Sequence, residues 1–188
     1  MARARQPVRQ ALLVSRRGKF FVGEPLFERG PQIPLSRGRV RVGEGRIALC
    51  RVDGRGAQPI VELGRADVAR DVVAALIADR GLRPTFPNRL EEEARAAISQ
   101  VEADPGARED LVAEPTFTVD PKTARDFDDA VSARREGDGF RLWIHIADVA
   151  AHVRPGSGLD GMALERANST YAPGAVVPML PRALSDEA

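Results

Sequence analysis

The stretch Glu114-Pro-Thr-Phe-Thr-Val-Asp120-Pro-Lys-Thr-Ala-Arg-Asp126-Phe-Asp128-Asp129-Ala-Val-Ser-Ala-Arg-Arg135 continues through Glu136-Gly-Asp-Gly139 into Phe140-Arg-Leu-Trp-Ile-His-Ile-Ala147. Residues 114–119 predict a strand that leads straight into Asp120. Residues 129–135 and 140–147 predict two more strands, joined as a hairpin by the Gly-rich turn at 136–139. Four carboxylates, those of Asp120, Asp126, Asp128 and Asp129, therefore fall in a loop pinned at both ends by a sheet. Crowded together without counter-charge they would repel one another and cost stability. A divalent cation resolves that repulsion. Carboxylate oxygens suit Mg²⁺ or Mn²⁺, with waters and substrate phosphate oxygens completing the shell, and metals so held can stabilise both oxygens of a phosphodiester in displacement. The spacing D-x5-D-x-D-D lacks the central Gly and terminal Glu of a helix-loop-helix calcium site. Two other readings of the residues stay open: a solvated acidic loop, and a nucleotide-sugar transferase on the strength of Asp126-Phe-Asp128 alone.

Upstream of this stretch the period of the apolar residues changes twice. From Leu13 to about Leu63, short apolar runs are separated by Gly and Pro, among them Gly18-Lys-Phe-Phe-Val-Gly and Arg46-Ile-Ala-Leu-Cys-Arg-Val. The alternation Arg39-Val-Arg-Val42 predicts a half-buried strand, and Asp53-Gly54 a turn. Such punctuation predicts a small β-barrel, of which the oligonucleotide-binding type is one candidate. Val68–Arg80 then reads as a helix with Asp67 as N-cap, Val68, Val72, Ala75 and Leu76 as its apolar face, Asp79 interrupting that face and Gly81 as the stop. A second helix is predicted over about Arg89–Glu102, opened by a capping box of Asn88 and Glu91.

Charge is distributed unevenly. Residues 1–60 carry 13 Lys and Arg against 4 acidic residues, a local net of +9, whereas residues 61–110 and 111–188 are each −4. A basic third beside an acidic loop suits a polyanion grip next to a cation-binding site. No apolar run nears the roughly 18 residues of a membrane span. The basic N-terminus leads into no long apolar region, and Cys50 is the only cysteine. These features exclude a disulfide framework and a cysteine-based zinc site, and predict a cytoplasmic protein without membrane partners.

Five ordered blocks carry a resemblance. They are Thr-Val-Asp120-Pro-Lys-Thr-Ala-Arg-Asp126-Phe-Asp128-Asp129-Ala, Leu-Trp-Ile-His-Ile-Ala-Asp148-Val, Val-Arg-Pro-Gly-Ser-Gly-Leu-Asp160, Arg166-Ala-Asn-Ser-Thr-Tyr171-Ala-Pro and Val-Pro-Met179-Leu-Pro-Arg-Ala-Leu-Ser185. Together, residues 116–186 resemble the opening of the RNB catalytic domain of the ribonuclease II/ribonuclease R family. The resemblance implies a Mg²⁺-dependent exoribonuclease that degrades single-stranded RNA from the 3′ end to nucleoside 5′-monophosphates. It implies that Asp120, Asp126, Asp128 and Asp129 are catalytic residues and metal ligands, and that Tyr171 stacks near the 3′-terminal bases. Residues 13–65 are similar, more weakly, to the cold-shock-type barrels that precede this domain. Lys19, Phe20, Arg37, Arg39 and Arg41 then become RNA contacts, although alternation would send one of Phe20 and Phe21 into the core. His145 reads as a buried, hydrogen-bonded histidine, and Asp148 as a local orienting or capping group.

The fold class that follows is α+β: a flexible basic arm (1–12), a cold-shock/oligonucleotide-binding-like barrel (13–65), a helical connector (66–110) and the start of a mixed α/β RNB domain (111–188). The family's domain continues past the point where the sequence stops, so a fragment of low activity is expected. The alternative expectation is a non-catalytic RNA-binding protein on the same scaffold.

Overall fold

In the computed structural model, residues 8–36, 38–103, 106–122, 124 and 127–185 are described, and they fall into two compact units, Met1–Pro84 with Tyr171–Val177, and Thr85–Thr170 with Pro178–Ala188. The first unit is built on β1 (Val8–Arg17), β2 (Phe20–Pro25), β3 (Ile33–Pro34), β4 (Arg46–Asp53) and β5 (Gly56–Arg65), paired antiparallel in the order β3-β2-β1-β4-β5. Residues 8–12, read above as part of a flexible arm, form the first half of β1, because Ala11 and Leu12 are fully buried. The two central strands are apolar without alternation, Ala11–Val14 in β1 and Ile47–Cys50 in β4, because both faces of the sheet are covered. Leu12, Val14, Ala48, Cys50 and Ala57 form one core. Ala11 and Ile47 face the other way, onto Ala75 of α1 (Ala69–Asp79). A single parallel bridge from Leu35 to Ala57 links the two ends of the strand order.

Several expectations are corrected here. Arg39–Val42 forms no strand: Val42 does pack against the core, but the segment makes no ladder and stays a loop. Asp67 does not cap α1, whose N-cap is Val68 with no side-chain bond. Arg65 takes Asp67 instead, donating from Nε and Nη2 at 2.8 and 2.5 Å, and this pairing holds the carboxyl below the usual range. The first turn is tied by Asp71, which accepts the Arg65 N–H at 2.9 Å. Gly64, at φ +137°, makes room for that carboxylate, where a Cβ would collide with Asp71. Asp79 breaks the apolar face for a reason. Its Oδ1 accepts the N–H of buried Ala11 at 2.7 Å and so bolts α1 to β1.

The second unit contains α2 (Asn88–Ala103), β6 (Thr116–Phe117), β7 (Asp129–Glu136), β8 (Gly139–Ile146), α3 (Val149–His152) and α4 (Gly158–Arg166). The chain then forms the hairpin β9 (Thr170–Ala172) and β10 (Ala175–Val177), and ends in α5 (Arg182–Ser185). Leu90 and Ala94 of α2 bury against Leu159 of α4 and Ala183 of α5. Glu93 of α2 also accepts the Leu159 N–H at 3.1 Å, so one helix supports the start of another. Helix α2 begins at Asn88, with Pro87 accepting the Leu90 N–H at 2.8 Å, so Asn88 does not stand outside the helix as its cap. Strands β6, β7 and β8 form an antiparallel sheet in that order. The predicted hairpin at 136–139 is present, but the strand predicted over 114–119 shrinks to two residues. One face of this sheet carries Phe117, Val131, Leu142, Ile144 and Ile146, and Ile144 is 74% exposed. Among the described residues no helix is long and apolar enough to cross a membrane.

Candidate active site

The acidic loop leaves the sheet after Phe117 and returns at Asp129. Because Phe117 pairs with Val131, both ends of the loop stand at one end of the same sheet. The return is set by the hairpin ladder, in which Asp129 pairs with Ile146, and the Asp128 carbonyl extends that ladder by accepting the Ala147 N–H at 2.8 Å. Within the loop, the Ala124 N–H donates to the Pro121 carbonyl at 2.9 Å.

Asp120, Asp128 and Asp129 are exposed and take no ion-pair partner among the described residues. Asp126 lies outside the described residues. Among those that are described, no three acidic, histidine or cysteine side chains stand close enough to hold a metal ion. What the loop presents is a set of hard oxygen donors open to solvent, which fits Mg²⁺ or Mn²⁺ in type and needs water, phosphate or Asp126 oxygens to complete a shell.

The opposite face of the sheet is polar. Ser132 is fully buried, and its Oγ lies 2.7 Å from Thr116 Oγ1 and 2.8 Å from His145 Nε2. His145 is thus hydrogen-bonded as its sequence context suggests, but half-buried rather than buried. Asp148 caps α3 by accepting the Ala151 N–H at 3.3 Å, and Arg108 donates to it at 2.8 Å. Trp143 carries the guanidinium of Arg134 at 5.2 Å and that of Arg141 at 5.9 Å.

The predicted RNA contacts lie in the first unit. Lys19 sits in the β1–β2 turn, and Arg39 and Arg41 are exposed in the loop before β4. Arg37 lies outside the described residues. Phe20 is 75% exposed and Phe21 is exposed as well, so neither enters the core, contrary to the alternation argument. Both sit at the end of the β1–β2 hairpin, where no layer of the described residues covers them. Opposite them in the ladder stand Arg17 and Arg16, both exposed cations. Tyr171, on β9, is 65% exposed.

Residues 108–188 match the family described as the RNB domain. The chain is 42% identical over 140 residues to a Ribonuclease R of Chlamydia pneumoniae, a match that covers 70% of this chain and 20% of that protein. Its fold superposes on Mycoplasma genitalium RNase R, solved in complex with double-stranded RNA, with a TM-score of 0.77 and 25% identity over 96% of this chain and 34% of that one. It also superposes on yeast Ssd1, a pseudonuclease, with a TM-score of 0.65 and 15% identity over 100% of this chain and 26% of that one. The chain therefore spans about a fifth of the curated relative and a third of the solved one.

Proposed function

We propose that this chain, which belongs to the RNB domain family through residues 108–188, supplies one wall of the active site of a 3′-to-5′ exoribonuclease. Its substrate is single-stranded RNA, released as nucleoside 5′-monophosphates. The observation that carries the reading is the loop between β6 and β7, inside the family match, where Asp120, Asp128 and Asp129 present exposed carboxylates with no ion-pair partner among the described residues. Asp120, Asp126, Asp128 and Asp129 would hold Mg²⁺, or Mn²⁺ in its place. When bound, the metal supplies charge neutralisation at the scissile phosphate and a more acidic water. The protein's own part would be to bring these acidic groups to one end of the sheet, where their mutual repulsion favours a cation–phosphate pair over phosphate alone.

The first unit serves the same substrate. Its five-stranded sheet, with the Leu35–Ala57 bridge linking the two ends of the strand order, supports reading it as an oligonucleotide-binding-type barrel. On it Lys19, Arg37, Arg39 and Arg41 meet the phosphate backbone and Phe20 stacks on a base, while Tyr171 on β9 takes the bases nearest the 3′ end. A cytoplasmic location suits a chain whose single cysteine is buried and unpaired.

The test is hydrolysis of end-labelled single-stranded RNA by the full-length protein, with Mg²⁺ and a chelator control. Asp128→Asn is expected to remove mononucleotide release by a factor of 10² or more, on the order of magnitude seen when a charge-stabilising group is lost from a preorganised site. Release that survives this substitution undiminished overturns the mechanism. The second reading, a non-catalytic RNA-binding protein, draws support from the same fold in a pseudonuclease. It is favoured if the chain binds RNA but the wild type releases no nucleotide.

A further inference from the structure

The hydroxyls on the polar face of the β6–β8 sheet have a fixed direction. Thr116 Oγ1 donates its single proton to the Glu114 carbonyl at 3.0 Å, so towards Ser132 it can only accept. Ser132 must then donate to Thr116 across the 2.7 Å contact, and its own oxygen is left to accept from His145 Nε2–H at 2.8 Å. The run is His145 Nε2–H to Ser132 Oγ–H to Thr116 Oγ1–H to Glu114 carbonyl, one side chain from each strand of the sheet. Because Ser132 is wholly buried, no water can replace a lost partner there. The run also joins the two feet of the loop. Thr116 lies four residues before Asp120, Ser132 lies three after Asp129, and His145 pairs with Ala130 directly beside Asp129. With β6 only two residues long, backbone pairing alone gives the first foot little hold. Arg134 adds a second tie, donating to Glu114 at 2.6 Å.

We propose that Ser132 and His145 are positioning residues that set the spacing between Asp120 and the Asp128–Asp129 pair, through a directional hydroxyl relay across β8, β7 and β6. The proposal rests on the reading of those aspartates as metal ligands. In that role the relay does for a carboxylate loop what outer hydrogen bonds do for metal-bound side chains in general.

The experiment uses the full-length protein and four substitutions. Ser132→Ala cuts the relay in the middle, His145→Leu removes its donor, and His145→Gln keeps an N–H where Nε2 stands. Asp128→Asn is the control for the parent reading. Two quantities are measured: Mn²⁺ affinity, from the electron paramagnetic resonance signal of the free ion, and kcat and KM on single-stranded RNA as Mg²⁺ is varied. Ser132→Ala and His145→Leu are expected to weaken Mn²⁺ binding about tenfold, and to raise the Mg²⁺ needed for half-maximal kcat by a similar factor. KM for RNA stays within about twofold, because contacts to the rest of the strand are untouched. His145→Gln is expected to stay near wild type, and as a half-exposed position it remains informative if Ser132→Ala fails to fold. Wild-type Mn²⁺ affinity in His145→Leu beside a loss in Asp128→Asn overturns the relay and leaves the parent reading standing. Equal damage from His145→Gln and His145→Leu also overturns it, because packing rather than the donor would then matter. Unchanged Mn²⁺ binding and activity in Asp128→Asn overturns both.

Discussion

At the scale of single residues, two groups outside the candidate site define what the fold asks of its chemistry. Cys50 is buried in the β-sheet core, and desolvation pushes its thiol up to about 11. The folded state therefore holds the proton through a range in which the unfolded thiol has already lost it. Stability is expected to be unaffected by this group below pH about 8.5, the ordinary thiol value, and to fall as pH rises from there towards 11. Urea melts of wild type and Cys50→Ala, compared across that window, would show a slope that the variant lacks. Arg166 illustrates the opposite arrangement, a permanent charge used as a structural rivet. It donates to the carbonyls of Pro178 at 2.8 Å and Thr85 at 2.7 Å, with its guanidinium 3.7 Å from the centre of the Phe86 ring. Arg166→Ala should cost about 2–3 kcal/mol in denaturant unfolding. Arg166→Lys should recover only part of that, since an ammonium cannot reach two carbonyls while stacking flat on a ring.

At the scale of elements, the joint between α1 and β1 depends on Asp79. Asp79→Ala leaves the buried Ala11 N–H without its acceptor and is expected to cost about 1–3 kcal/mol, and Asp79→Asn less, measured by chemical denaturation. That joint also marks where sequence reasoning reached its limit. The helix itself was legible from Val72, Ala75 and Gly81, but Asp79 read only as a flaw in the apolar face, because its partner is a backbone amide 68 residues away. Asp67 misled for a related reason: a good N-cap type was drawn to the charged side chain of Arg65. Arg39–Val42 shows that alternation reports which side chains face a core and not whether a ladder exists. The hairpin of β7 and β8 was readable because turn and strand signals agreed. The Thr116–Ser132–His145 relay was not, since two hydroxyls and an imidazole on three strands leave no periodic trace.

At the scale of the whole molecule, the charge asymmetry makes a quantitative statement about RNA. If Lys19, Arg39 and Arg41 each neutralise one phosphate, log affinity for single-stranded RNA should fall with log salt at a slope about 2 steeper than in the triple alanine variant. Fluorescence anisotropy over a chloride series checks this, and parallel slopes would remove those three cations from the interface. The face of the β6–β8 sheet that carries Phe117, Leu142 and Ile144 answers to salt with the other sign. Strongly hydrated anions such as sulfate drive apolar surfaces together. The protein is thus a molecule with two opposed solubility regimes. In a sulfate series, therefore, the salt that strips RNA from the basic third also drives this exposed sheet face together, and light scattering from this chain should climb as anisotropy declines.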